Sequence, residues 1–329
     1  NQSITSIKAI HVKVAKPTGS ATISATEFQV LLLANMNELA PTGLDVLKAE
    51  KTAAITTFNT KEVGQSYLPM HSDVLTVMGL TPVKEEANGT KTHHLNWYKN
   101  NSSCVVSDTP TDGTHVTTVP DGVGKVIMTR SISRVQFTSL KSNFTAQYAG
   151  VTFKIDSIYL ANVRNNATVM GEEDTEADYF RGGPVEFAVI QGLIDPEANV
   201  NASFAKTYET PLVLSSESGE LDATALGFDK YINANQPEYA EEDGYLTRLL
   251  ITGTLMDGDR ELGKKYFHIP LKLVDDTGNV ASNKFFKISA TITGEGSPNP
   301  DEILENACIN FSIEVAPWNV VEQTEEDTN

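Results

Sequence analysis

The chain is short of basic charge. Lys and Arg number 25 against 43 Asp and Glu, a net charge of −18 over 329 residues. That balance supplies no basic footprint for nucleic-acid phosphates and no attraction to an anionic lipid surface. Cysteine is almost missing. Cys104 and Cys308 are the only two, and they lie far apart without metal-ligand spacing, so the fold is not stapled by disulfides or by zinc. Cys308 falls in an alternating stretch, where a free thiol serves as a small core residue. Long apolar runs are missing as well. None approaches the ~20 residues of a membrane span, and Val30–Ala34 is the size of a strand. No secretory leader reads from Asn1 onward.

Catalytic signatures are also wanting. The sequence contains no nucleophile elbow, zincin helix motif, phosphate loop or dinucleotide fingerprint, and its six histidines are scattered. His93 and His94 adjoin each other, but no carboxylate or thiol stands at ligand spacing around them. Asp257 and Asp259 flank Gly258 in a stretch that resembles the start of a calcium loop but lacks its remaining oxygens and closing Glu, so a hairpin turn is the expected reading. The expectation is a protein with no catalytic residues, no cofactor and no metal site.

What is present is period-two alternation. In "IHVKV", Ile10, Val12 and Val14 alternate with His11 and Lys13, and "EFQVLLLAN" comes next as a more buried strand. One amphipathic helix is expected over about Thr42–Phe58, with Leu44, Leu47, Ala54, Ile55 and Phe58 on one face and Thr42 as N-cap. Residues Lys84–Asp121 read as loops with short edge strands. Alternation resumes in "KVIMTRSISRVQFTSL" and "VTFKIDSIYLANV". The acidic, glycine-paired stretch "GEEDTEADYFRGGP" (Gly171–Pro184) reads as a crossover between domains. Beyond it come "YLTRLLITGTLMDG", "KYFHIPLKLVDDTGNV", "KFFKISATITGEG" and "CINFSIEV". Many short alternating strands and one helical stretch predict a mainly β protein of two β-sandwich domains in tandem with one or two short helices, the domains being residues 1–172 and 173–329.

Two blocks carry a resemblance. "MTRSISRVQFTSLKSNF" with "VTFKIDSIYLANV" resembles the end of the N-terminal domain in the Bacteroidetes fimbrillins, the FimA-like major subunits of type V pili. There an Arg-x-x-x-Arg-apolar strand, here Arg130 and Arg134-Val135, precedes a strand ending in "IYL-x-N". "NKFFKISATITGEGSPNPDEILENACINFSIEVAPWNVVEQ" resembles that family's C-terminal signature, an Asn before an aromatic strand, then "TITG-x-G", a last core strand, and a Trp heading the tail. The resemblance implies transthyretin-like sandwiches, export as a lipoprotein precursor by a signal peptide outside this sequence, and trimming by an Arg-specific protease. Trimming opens a groove in the N-terminal domain that a neighbour's C-terminal strand fills.

Strand physics agrees. A sandwich missing a strand exposes unpaired backbone groups over an apolar slot, and an extended segment of another chain satisfies both. Pro317 marks the exit from the last core strand, which leaves Trp318, Asn319, Val320 and Val321 as the donor or anchoring residues and Ile10, Val12 and Val14 as the candidate acceptor edge. The expected partners are other pilin subunits at an outer-membrane-associated fimbria, with no nucleic acid and no span of the bilayer. The alternative is a tip or surface adhesin that binds host or bacterial glycan or protein ligands. Its face would be the loop-like stretch "THHLNWYKNNSS", with Trp97 and Tyr98 stacking on a sugar.

Overall fold

A computed structural model describes residues 28–36, 43–60, 67–85, 91–98, 128–183, 193–217, 219–236, 245–271, 280–301 and 309–318. Ile10, Val12, Val14, Asn319, Val320, Val321 and both cysteines lie outside them. The protein is mainly β, as expected. It divides into two compact units, residues 1–32 with 72–127 and residues 33–71 with 128–329.

In the first unit an antiparallel sheet joins Phe28–Val30 to Leu75–Glu85, and Leu75–Glu85 to Lys91–Tyr98. The expected buried strand from Glu27 to Asn35 is therefore two pieces. Phe28–Val30 stays here, whereas Leu33–Ala34 joins a small sheet in the second unit with Met70–Ser72 and Met128–Arg130.

The second unit is built on two sheets. One runs in the order 205–215, 151–161, 248–257, 260–270. The other runs 221–222, 133–142, 284–292, 309–317, and Asp229–Ile232 also pairs with 133–142. Alternation dictates their inner faces. Along Lys284–Ile292 the side chains of Phe286, Ile288, Ala290 and Ile292 are buried and those between are half-exposed. Val135, Phe137 and Leu140 join them from Ser133–Ser142, and Phe153, Ile155, Leu249, Ile251 and Phe267 come from the other sheet. Phe153 meets Phe267 edge to face at 5.2 Å, the arrangement that ring quadrupoles favour. In Arg248–Asp257 the outer face is covered too. Leu250 packs with Tyr159, Ala161 and Ile194 in a second cluster, which explains the unbroken apolar run "LLI".

Three expectations are corrected here. The boundary between residues 172 and 173 does not separate the compact units. Ser133–Ser142 pairs with Lys284–Ile292, and Val151–Ala161 lies between Ala205–Ser215 and Arg248–Asp257. The composition break that suggests a boundary carries no information about such distant strand partners.

The single helix is two short ones, Leu44–Ala49 and Ile55–Asn59. Between them the backbone turns away to bond a loop, Val169 N–H to the Glu50 carbonyl at 2.7 Å and Thr52 N–H to the Ala167 carbonyl at 2.9 Å. These long-range bonds replace intrahelical ones across "KTAA", where β-branched Thr52 is buried.

The acidic crossover, finally, is built into the fold. Glu173 pairs with Arg164 at 3.0 Å and Asp174 with Lys51 at 2.7 Å. Its paired glycines reflect close packing rather than a hinge. A Cβ on Gly183 would sit 2.4 Å from the Tyr159 ring, and one on Gly182 2.6 Å from the Phe204 backbone.

Candidate functional site at the exit of the C-terminal tail

The last described strand, Ile309–Pro317, pairs residue by residue with Lys284–Ile292, from Ile309 opposite Ile292 to Pro317 opposite Lys284. It lies at the end of its sheet, so its other side has no strand neighbour among the described residues. Ile309, Ile313 and Val315 are half-buried and Phe311 is 44% exposed. Pro317, which has no N–H to donate, closes this edge strand where proline is tolerated.

Trp318 comes next, and several groups of its own chain hold it. Its N–H donates to the Asn283 carbonyl at 3.1 Å, and its carbonyl accepts from Arg130 Nη1 at 2.6 Å. The Arg130 guanidinium lies 4.5 Å over the indole. Tyr231 stacks against the indole at 5.8 Å and 22°, and Phe285 tilts toward it at 6.5 Å.

Each of these partners is fixed in turn. Asn283 takes the left-handed conformation at φ 56°, which asparagine tolerates better than other side-chain-bearing residues, and its N–H bonds the Ile132 carbonyl. Tyr231 is 1% exposed, and Asn59 grips its backbone at both ends: Nδ2 donates to the carbonyl and Oδ1 accepts from the N–H, each at 2.8 Å. Arg134 lies 4.6 Å over Phe285 and binds Asp229 through both Nε and Nη2, at 2.9 and 2.5 Å.

The two arginines differ electrostatically. The Asp229 carboxylate hydrogen-bonded to Arg134 raises its pKa above the ordinary arginine value. Burial lowers that of Arg130, which has no carboxylate partner among the described residues. Its best acceptor is the neutral carbonyl of Trp318.

The motif residues Arg130, Arg134, Asn283, Phe285 and Trp318 thus meet in one cluster, although Arg130 and Trp318 are 188 positions apart. Sequence reasoning missed Tyr231 and Asn59. An asparagine placed just before an aromatic strand is the signal for Asn283, whereas nothing local marks the other two. Trp318 stands as an anchor of its own chain. The asparagine of "IYL-x-N", Asn162, is a buried brace. At φ 57° it donates Nδ2 to the Leu193 and Leu246 carbonyls, both at 2.8 Å, and accepts from Asp195 N–H at 3.0 Å.

Trp97 and Tyr98 do not lie in a loop. They end the Lys91–Tyr98 strand, opposite Val77 and Thr76, because "THHLNWY" is rich in the aromatic and β-branched residues that suit a pleated surface. His93 and His94 are consecutive residues of the same strand. Asp257 and Asp259 sit at the expected hairpin, with Asp257 opposite Arg260 and Gly258 at φ 58°. Among the described residues no group of three or more His, Cys, Asp or Glu is arranged to hold a metal ion, and no helix is long and apolar enough to cross a membrane.

Known proteins point the same way. Residues 1–130 match the family model of the major fimbrial subunit protein FimA. No curated protein matches the chain. Among solved structures, a fimbrilin of Porphyromonas gingivalis superposes with a TM-score of 0.57 at 18% identity, covering 90% of this chain and 81% of that one. A proposed cell adhesion protein of Parabacteroides distasonis gives 0.57 at 18% identity, with 90% and 84% covered. One of Bacteroides eggerthii gives 0.53 at 14%, with 88% and 78% covered. The resemblance to the fimbrillins is borne out: residues 1–130 match the FimA family model, and the chain superposes on a fimbrilin over 90% of its length.

Proposed function

We propose that this protein is a structural subunit of a cell-surface fimbria, polymerising through the segment that begins at Asn319. The observation that carries the reading is the match of residues 1–130 to the major fimbrial subunit family. The clasp around Trp318 supports it. The last described strand ends at an anchored Trp318, and the segment from Asn319 onward is the one proposed for donation. Val320 and Val321 are the apolar pair of that segment, and insertion beside the edge at Ile10–Val14 would bury them and satisfy backbone groups of both chains. The partners are other pilin subunits, and the place is the cell surface, reached as a lipoprotein precursor.

The test is a cross-link. In a Cys104→Ser, Cys308→Ser background, a chain carrying both Val320→Cys and Val12→Cys should form intermolecular disulfides under mild oxidation, Val320→Cys of one copy to Val12→Cys of the next. The product expected is a dimer and higher ladder that vanish when either cysteine is absent. Cross-linking confined to other pairs would move the acceptor edge away from Ile10–Val14. Monomer alone at every pairing would reject donation by the tail. An adhesin role has weaker support, since Trp97 and Tyr98 lie in a strand.

A further inference from the structure

The chain passes between its two units at three points, next to residues 32, 72 and 127. The strands at those crossings, Leu33–Ala34, Met70–Ser72 and Met128–Arg130, form one small sheet. Arg130 is the end of that sheet and also the residue that holds Trp318. The exit of the tail is therefore tied by a side chain to the strands through which the chain reaches its other unit.

We propose that the Arg130–Trp318 clasp is a mechanical link, carrying tension from the tail into the crossing strands and off the terminal strand pair. The inference rests on polymerisation through the tail, because only then is residue 319 pulled. Without the clasp, tension entering at Trp318 would act first on the terminal pair, Pro317 opposite Lys284, and open the Ile309–Pro317 strand pair by pair like a zipper. That strand sits at a sheet end with a single partner among the described strands, so no described strand on its far side resists peeling. The clasp adds three restraints ahead of the first pair. They are the charged donor on the Trp318 carbonyl, the Trp318 N–H on Asn283, and the indole's contacts with Arg130 and Tyr231. The anchor points lie on three separate elements, namely the crossing sheet, the turn before Lys284–Ile292 and the strand Asp229–Ile232. A force along the tail must therefore break side-chain contacts to distant parts of the unit before the ladder is strained. A residue that only filled a surface gap would need neither a backbone-directed arginine nor a stacked tyrosine braced by Asn59.

The measurement is single-molecule extension of the full-length monomer held by its termini at constant force. The quantity read is the lifetime of the step that releases the Ile309–Trp318 strand. Arg130→Gln removes the cation and its charged hydrogen bond, and should shorten that lifetime by about tenfold or more. Arg130→Lys keeps the cation and should recover part of the loss. Trp318→Phe keeps both backbone bonds and should fall between wild type and Arg130→Gln. Lys287→Gln breaks the exposed ion pair with Glu314 between the same two strands, behind the clasp and worth little at the surface, and should shorten the lifetime far less than Arg130→Gln. Equal lifetimes for wild type and Arg130→Gln would overturn the proposal, as would a loss in Lys287→Gln equal to that in Arg130→Gln. Polymerisation is read separately, from ladders formed without force by the tail-deleted chain. A failed clasp and a failed donor tail thus give different results.

Discussion

Arg164 and Arg130, both of the second unit, each stack on an aromatic ring, and they hold their segments in opposite ways. Arg164 lies 3.9 Å over Tyr179 and pairs with Glu173 at 3.0 Å, with both side chains largely buried. It also donates Nη1 to the Ala177 carbonyl at 2.8 Å. Burial pushes the Tyr179 hydroxyl up to about 12, and that hydroxyl bonds Asn235 at 3.3 Å. Every strong group in this clamp has a charged or hydrogen-bonded partner. Arg130 over Trp318 has none of that closure, since its acceptor is one neutral carbonyl and its ring partner is half-exposed. The first clamp turns an acidic stretch into part of the fold. The second fixes one residue and leaves the chain beyond it unconstrained by the clasp. A buried ion pair is costly to break from one side because the remaining charge is stranded, whereas a cation on a carbonyl and a ring is a weaker tie.

Mutations separate the two ties, and the largest effect belongs to the closed clamp. Arg164→Ala strands the Glu173 carboxylate and should cost about 3–5 kcal/mol in urea unfolding. A loss below ~1 kcal/mol would mean that solvent already shields the pair. Trp318→Ala removes a half-buried indole and its two ring partners, for about 1.5–3 kcal/mol. Arg130→Gln should cost less, about 1 kcal/mol, because both Trp318 backbone groups keep neutral acceptors or donors within reach. If Arg130→Gln proves as damaging as Arg164→Ala, the clasp is a closed clamp and the distinction fails.

The legible part of this protein is the part with a local signature. Strands such as Val151–Ala161, Arg248–Asp257 and Lys284–Ile292 announce themselves through alternation or an apolar run, and the Asp257–Arg260 hairpin through its Asp-Gly turn. The clamps are not legible as such. Arg164 reaches Glu173 across a bend, and Arg130 reaches Trp318 across most of the chain. The acids of Gly171–Pro184 look like solvated linker because their cations are supplied from Arg164 and Lys51. The helix from Thr42 breaks for a similar reason, since bonds from Asn165–Val169 outcompete a propensity that is only a weak prior. The motif residues Arg130, Asn283 and Trp318 stand out by resemblance, but their joint role becomes visible only when the fold brings them together.

If the chain is finished at Trp318 and the residues beyond it serve another copy, deleting Asn319–Asn329 should separate folding from assembly. Thermal unfolding of the monomer and gel laddering of the assembled protein are measured side by side. The unfolding midpoint should stay within about 1–2 °C, the shift of well under ~1 kcal/mol expected when no core contact is lost, while the ladder disappears completely. A ladder that survives the deletion would contradict donation by the tail, and a collapsed midpoint would show that the tail belongs to its own fold.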